Sequence, residues 1–135
     1  MQEKIYESES YAIRGALFEV HKNLGAGFTE DVYQLALEME FAERKIPFEA
    51  QKDFQVFYKG TPLPKLFKVD FVCYGKIILE LKAVKTLLPE HVAQLINYLR
   101  IANYKLGYLI NFNSAEKLNP KPYFNNYYMP TTQEP

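Results

Sequence analysis

A single cysteine, Cys73, stands among 135 residues, so no internal disulfide can staple this chain. That usage suits a reducing compartment. Net charge is missing as well: 16 Lys and Arg balance 16 Asp and Glu. No global field therefore draws the chain to nucleic acid or to an anionic membrane, and any phosphate binding needs a local patch. No apolar run approaches the roughly 18–20 residues that span a bilayer. The polar stretch Met1–Ser10 lacks the apolar core of a secretory signal. There is no internal repeat, no Walker A sequence and no serine nucleophile elbow. Gly25-Ala26-Gly27 follows a helical pattern and lacks a third glycine, which excludes a dinucleotide fingerprint. One cysteine with the distant His21 and His91 makes no zinc site. What is present, 48% hydrophobic and 24% charged residues, excludes disorder as the main character. The length is that of one domain, expected to span 1–135 and to be cytoplasmic.

Ile13, Ala16, Leu17, Val20 and Leu24 recur at helical spacing, with Ser8 or Ser10 as N-cap, until Gly25-Ala26-Gly27 stops the helix. Thr29 starts a second helix whose first turn carries Glu30 and Asp31, where the helix dipole favours negative charge. Two stripes, Val32-Leu35-Ala36-Met39 and Tyr33-Leu37-Phe41, predict burial on two sides. Strands follow at Phe54–Tyr58, Leu66–Cys73 and Ile77–Lys82. In the second, Phe67, Val69, Phe71 and Cys73 are expected on one face, with Lys68 and Asp70 on the other. Pro89 opens a third helix burying Val92, Leu95, Ile96, Leu99 and Ala102, which stops near Gly107. Tyr108–Phe112 reads as a last strand, and the residues from Ser114 onward as an irregular tail. The order α-α-β-β-β-α-β predicts an α/β fold with a mixed four-stranded sheet flanked by helices and a core over about 8–113.

Asp70 on one strand is followed by Glu80 and Lys82 on the next, and residues two apart project from one strand face. Alone, Glu-x-Lys is an ordinary solvated pair. An Asp on one strand with Glu-x-Lys on the following one resembles the PD-(D/E)XK nuclease superfamily. Further segments, in order, are similar to a small bacterial and archaeal family within it named for its G-x-x-E-x-x-Y signature. These are Gly27-Phe28-Thr29-Glu30-Asp31-Val32-Tyr33, Val69-Asp70-Phe71-Val72, Glu80-Leu81-Lys82-Ala83-Val84, His91-Val92-Ala93-Gln94 and Leu109-Ile110-Asn111-Phe112. The resemblance implies a restriction-endonuclease-like core and covers about residues 8–113.

It also implies chemistry. Two neighbouring carboxylates repel and raise each other's pKa, and a divalent cation relieves that. Hard oxygen ligands suit Mg²⁺, with Mn²⁺ an alternative. By resemblance Asp70, Glu80 and the Leu81 carbonyl hold the metal, Glu30 supports it, and Lys82 orients water and stabilises charge. Gln94 and Tyr98 resemble a Q-x-x-x-Y element near the metal or the nucleic-acid backbone; His91 on the same helical face either contacts phosphate or caps the helix. Tyr33 is expected to pack rather than react, and His21 to be incidental. Lys68, Lys76 and Lys85 are candidate phosphate contacts.

The expected function is a metal-dependent nuclease acting on nucleic acid, DNA rather than RNA, with no membrane partner. Alternatives are a catalytically silent nucleic-acid-binding or protein-interaction module, or a subunit cutting only within a homodimer or larger complex. Strand parity makes the site hypothesis strict. A bare two-residue loop at Tyr74-Gly75 would put Asp70 opposite Leu79 and turn Glu80 to the other face. Only an odd loop or a β-bulge brings Asp70 and Glu80 together, with carboxylates about 3–6 Å apart as one bridging ion requires.

Overall fold

The computed structural model describes residues 5–130. Helices α1, Glu7–Leu24, and α2, Glu30–Glu43, come first. Strands β1, Phe48–Tyr58, β2, Thr61–Cys73, and β3, Ile77–Lys82, follow, then α3, Pro89–Ala102, β4, Leu106–Asn111, and β5, Lys121–Phe124. The strands form one mixed sheet in the order β1-β2-β3-β4-β5. Only β3 and β4 are parallel, because α3 returns the chain between them. The α/β class is as expected, with a fifth strand added.

Helices α1 and α2 bury Ile13, Leu17, Tyr33, Leu37 and Phe41 against Phe71, Leu79, Leu81 and Ile110 on one sheet face. Helix α3 buries Leu95 and Leu99 against Val69, Val72, Ile78 and Leu109 on the other. Strands covered on both faces read as unbroken apolar runs, which is why β3 and β4 are almost wholly buried. Gly107 does not stop α3 but sits within β4. A Cβ there would lie 2.9 Å from Leu95 Cδ1 and 3.2 Å from the Ile78 carbonyl oxygen, so its bareness lets α3 close on the sheet. Asn103, at φ 57°, ends α3 instead. Among the described residues no helix is long and apolar enough to cross a membrane.

Three local expectations fail. Helix α1 starts after Tyr6, at φ 56°, so neither Ser8 nor Ser10 caps it. Leu35 and Met39 are 61% and 76% exposed, because α2 is covered by the sheet and flanked by α1, with no third layer outside it. The tail is not irregular throughout: β5 pairs antiparallel with β4, Pro122 opposite Tyr108, at the sheet edge where a missing N–H is tolerated.

Beyond β5, the buried Asn125 amide donates to the carbonyls of Leu99 at 3.1 Å and Tyr104 at 3.0 Å. The Leu99 carbonyl also accepts the Tyr104 N–H at 3.0 Å, so Asn125 ties the tail to the turn that ends α3. His21 likewise binds the Ser114 carbonyl at 2.9 Å and ties α1 to the tail.

At the β2–β3 hairpin, Tyr74 and Gly75 take φ 57° and 68°, and the Lys76 N–H donates to Cys73 O at 3.1 Å. This is a tight turn of the primed kind. Lys76 is then an extra residue, and Cys73 faces Ile77. The odd connection that the site requires is present.

Asn125→Ala should destabilise the fold by about 1–3 kcal/mol, because the bonds from its amide to the Leu99 and Tyr104 carbonyls are lost from a buried position. Urea unfolding of both proteins checks this, and an unchanged midpoint would dismiss the tail as a structural element.

Candidate active site

The site forms where two strands part. Strands β2 and β3 pair at Cys73–Ile77, Val72–Ile78 and Phe71–Leu79, and the same register sets Asp70 opposite Glu80. There the regular ladder ends. The Asp70 N–H donates to Glu80 Oε2 at 2.9 Å, and the Leu81 N–H donates to Asp70 Oδ2 at 2.7 Å. Each carboxylate therefore satisfies a backbone donor of the opposite strand. Where the accepting carboxylate is ionised, such a bond is roughly twice as strong as a neutral one.

A change of facing explains why the ladder fails here. Val69 and Val72 both pack on the α3 side, whereas Phe71 and Cys73 pack against α1 and α2. The expected strict alternation through Phe67, Val69, Phe71 and Cys73 thus slips by one at Asp70. Strand β1 does the same, with Phe48 and Ala50 on one side and Phe54 on the other. Opposite Asp70 in the β1–β2 register is Gln51, at φ 53°, in the left-handed region that non-glycine residues seldom adopt. Both strands turn over together at this pair.

Two glutamines that sequence reading passes over hold the turnover point. Gln51 Nε2 donates to Asp70 Oδ1 at 3.3 Å. The buried Gln34 donates to the Asp70 carbonyl at 3.3 Å and to Glu38 Oε2 at 3.2 Å. Gln34 follows Glu30 at i+4 beside the apolar Tyr33 and Leu37, so a polar residue on a buried face was its available signal. Asn111, from the motif segment Leu109–Phe112, accepts from the Val84 N–H at 3.1 Å and donates to the Val84 carbonyl at 2.9 Å. With the Phe112 N–H on the Lys82 carbonyl at 2.8 Å, this fixes the exit from β3.

Glu80 is only 6% exposed. Burial, and then the charge of Asp70, push its pKa up to about 8; the Asp70 N–H and the Lys82 ammonium act the other way, and Glu30 adds to the rise. Glu30, Asp70, Glu80 and Lys82 consequently share one electrostatic neighbourhood. Glu30, Asp31, Gln34, Gln51, Asp70 and Leu81 line an open pocket of about 290 Å³. Tyr98 belongs to the same neighbourhood: burial, then the charges of Glu80 and Asp70, raise its hydroxyl pKa. Its ring stacks on Phe67 with centroids 4.4 Å apart.

The remaining candidates are less involved. Gln94 is exposed, one helical turn before Tyr98. His91 Nδ1 accepts the Leu88 N–H at 2.9 Å and so caps α3. Tyr33 is fully buried, stacks on Phe112 at 4.5 Å and donates to Gly25 O at 2.5 Å, a packing residue as expected. Lys76 is engaged at the hairpin end by Glu9 at 3.0 Å, and Lys68 pairs with Asp53 at 2.8 Å. Lys85 is exposed.

Among the described residues no three His, Cys, Asp or Glu side chains form a ready-made metal cage. The donors offered are two carboxylates beside the Leu81 peptide, with a destabilised negative charge between them. Such a set fits a hard cation that keeps much of its water, as Mg²⁺ does.

The model of a family described as the PD-(D/E)XK nuclease superfamily matches residues 7–121. No curated protein matches the chain. Among solved structures, the crystal structure of SSO0001 is similar with a TM-score of 0.53 and 19% identity, over 89% of this chain and 60% of that one. At that identity the likeness concerns the fold. The chain spans about 60% of the length of that structure.

Because Glu80 binds its proton more tightly folded than unfolded, the folded state takes up a proton between pH 4.5 and about 8. Its contribution is complete below the unfolded value and is lost as pH rises through the folded one. In chelator, stability should therefore fall by a few kcal/mol at most from pH 5 to pH 9. Glu80→Gln should flatten that slope in urea titrations; an equal slope in both proteins would assign it to another group.

Proposed function

Since the chain belongs to the PD-(D/E)XK nuclease superfamily, we propose that it hydrolyses phosphodiester bonds in nucleic acid, with DNA the favoured substrate and a divalent cation required. The observation that carries this reading is the crosswise bonding of Asp70 and Glu80 where β2 and β3 part. Their carboxylates and the Leu81 carbonyl would hold Mg²⁺ or Mn²⁺, with Glu30 supporting from the start of α2. When bound, the ion supplies a Lewis acid for a phosphoryl oxygen and lowers the pKa of water. Lys82, on the Glu80 face of β3, orients the attacking water and stabilises the charge that develops on the phosphorus oxygens. Gln34 and Gln51 keep Asp70 oriented by binding its carbonyl and its carboxylate. Tyr98, with Gln94 and His91 before it on α3, faces the substrate strand. The motif order supports assignment to the G-x-x-E-x-x-Y family; the single cysteine supports a cytoplasmic location, and the length one domain over 1–135, acting alone, as a homodimer or within a larger complex.

Purified protein should cleave DNA in Mg²⁺ or Mn²⁺ and lose that activity in EDTA. Asp70→Asn and Lys82→Ala should each lower the rate by roughly a hundredfold or more, with circular dichroism unchanged. Equal cleavage by wild type and both variants would point to a contaminant. Binding without cleavage by the wild type would favour the silent module.

A further inference from the structure

Beyond the Gln51–Asp70 pair, β1 and β2 continue as a two-stranded ribbon without a third strand, since only Phe71–Cys73 of β2 pair with β3. From Asp70 to the turn at Lys59-Gly60 it runs ten residues, on the order of 30 Å. Its base is anchored: Phe54 stacks on Phe67 at 5.3 Å, Phe67 on Tyr98 at 4.4 Å, and Phe54 meets Tyr104 edge-on at 5.7 Å. Its outer part is not covered. Phe57, Tyr58 and Leu66 are 58%, 62% and 54% exposed.

The tip also has a defined shape. Between the pairs Gln55–Leu66 and Phe57–Pro62, the three residues Leu63-Pro64-Lys65 face Val56 alone. The Gln55 amide holds this bulge by donating to the Leu63 carbonyl at 2.5 Å. Bulges twist a strand and re-aim its side chains. Charge is segregated too: residues 52–68 carry four lysines and one acid, Asp53, whereas α2 carries five acids and no base. Lys59 and Lys65 lie in a stretch, 54–67, without any acid.

We propose that this ribbon is the duplex-gripping arm of the enzyme, an inference that rests on the nucleic-acid reading of the site. Lys59 and Lys65 meet phosphates, and Phe57, Tyr58 and Leu63 make apolar contact within a groove. A two-stranded ribbon fits the major groove of B-DNA. The arm starts at the metal-ligand candidate Asp70, so a duplex held along it passes the pocket. A chain with no net charge thereby obtains the local patch that phosphate binding needs.

The test measures binding of a fluorescent 20-base-pair duplex, and separately of its single strand, in Ca²⁺, together with hydrolysis of bis-p-nitrophenyl phosphate in Mn²⁺. Proteins compared are wild type, Lys59→Glu/Lys65→Glu and Phe57→Ala/Tyr58→Ala, with folding checked by thermal unfolding. Both variants should bind duplex at least tenfold more weakly and keep hydrolysis of the small ester. The lysine variant should lose about 2 from the slope of log affinity against log salt. Duplex affinity unchanged in both variants overturns the arm, even if DNA is cut. Loss of single-strand binding alone, or a shift from dimer to monomer in light scattering without loss of duplex affinity, assigns the ribbon to another partner and also overturns it. Ribbon-dependent binding by a wild type that cuts nothing upholds the arm and overturns the proposed hydrolysis. A wild type that binds no duplex overturns both.

Discussion

When two antiparallel strands part, each leaves backbone donors that were meant for the other. Here the parting falls inside the protein, where an unsatisfied N–H costs on the order of 1–3 kcal/mol. Asp70 and Glu80 supply the missing acceptors, each reaching across to the opposite strand. Because acidic side chains close the gap, the same residues that complete the backbone bonding concentrate negative charge at a sheet opening. Glu80 stays buried and reluctant to ionise. Backbone bonding and local charge therefore come from one arrangement: Asn or Gln at these positions keeps an acceptor for the opposite strand while removing the charge.

The rest of the fold is organised around keeping that opening in place. Helix α2 brings Gln34 to the Asp70 carbonyl, β1 brings Gln51 to its carboxylate, and Asn111 at the end of β4 holds the chain leaving β3. Helix α3 packs on the other side and contributes Tyr98, itself fixed by Phe67. Four elements thus converge on a few residues of β2 and β3. The superfamily membership and the resemblance in fold to SSO0001 agree with this framework.

The central features were legible because they depend on residue order and parity. Asp70, Glu80 and Lys82 stood out as charges in apolar strands, and parity required the odd hairpin found at Tyr74–Lys76. Pro89 marked the start of α3. What was not legible depends on what covers what. Leu35 and Met39 repeat as a buried stripe would, yet no layer lies outside α2. Pro62, Pro64 and Pro122 look like loop residues, but edge and two-stranded positions tolerate them, so the first half of β2 and all of β5 were missed. The face change at Asp70 is invisible to an alternation count, because apolar residues stand on both sides of the strand. Gln34 and Gln51 act through bonds to backbone and carboxylate that no spacing rule predicts.

The tight turn at Tyr74 and Gly75, followed by the extra Lys76, has a bearing on how this chain can vary over time. Adding or deleting a residue within that corner alters only the loop, because the buried faces of β2 and β3 hold Cys73 opposite Ile77. An added or lost residue between Asp70 and Cys73, or between Ile77 and Glu80, instead exchanges inner and outer faces beyond it and parts the two carboxylates. Descendants of this sequence should therefore vary in length at the corner and keep both strand segments at fixed length. The hairpin works as a hinge of tolerance set between two stretches that drift cannot lengthen.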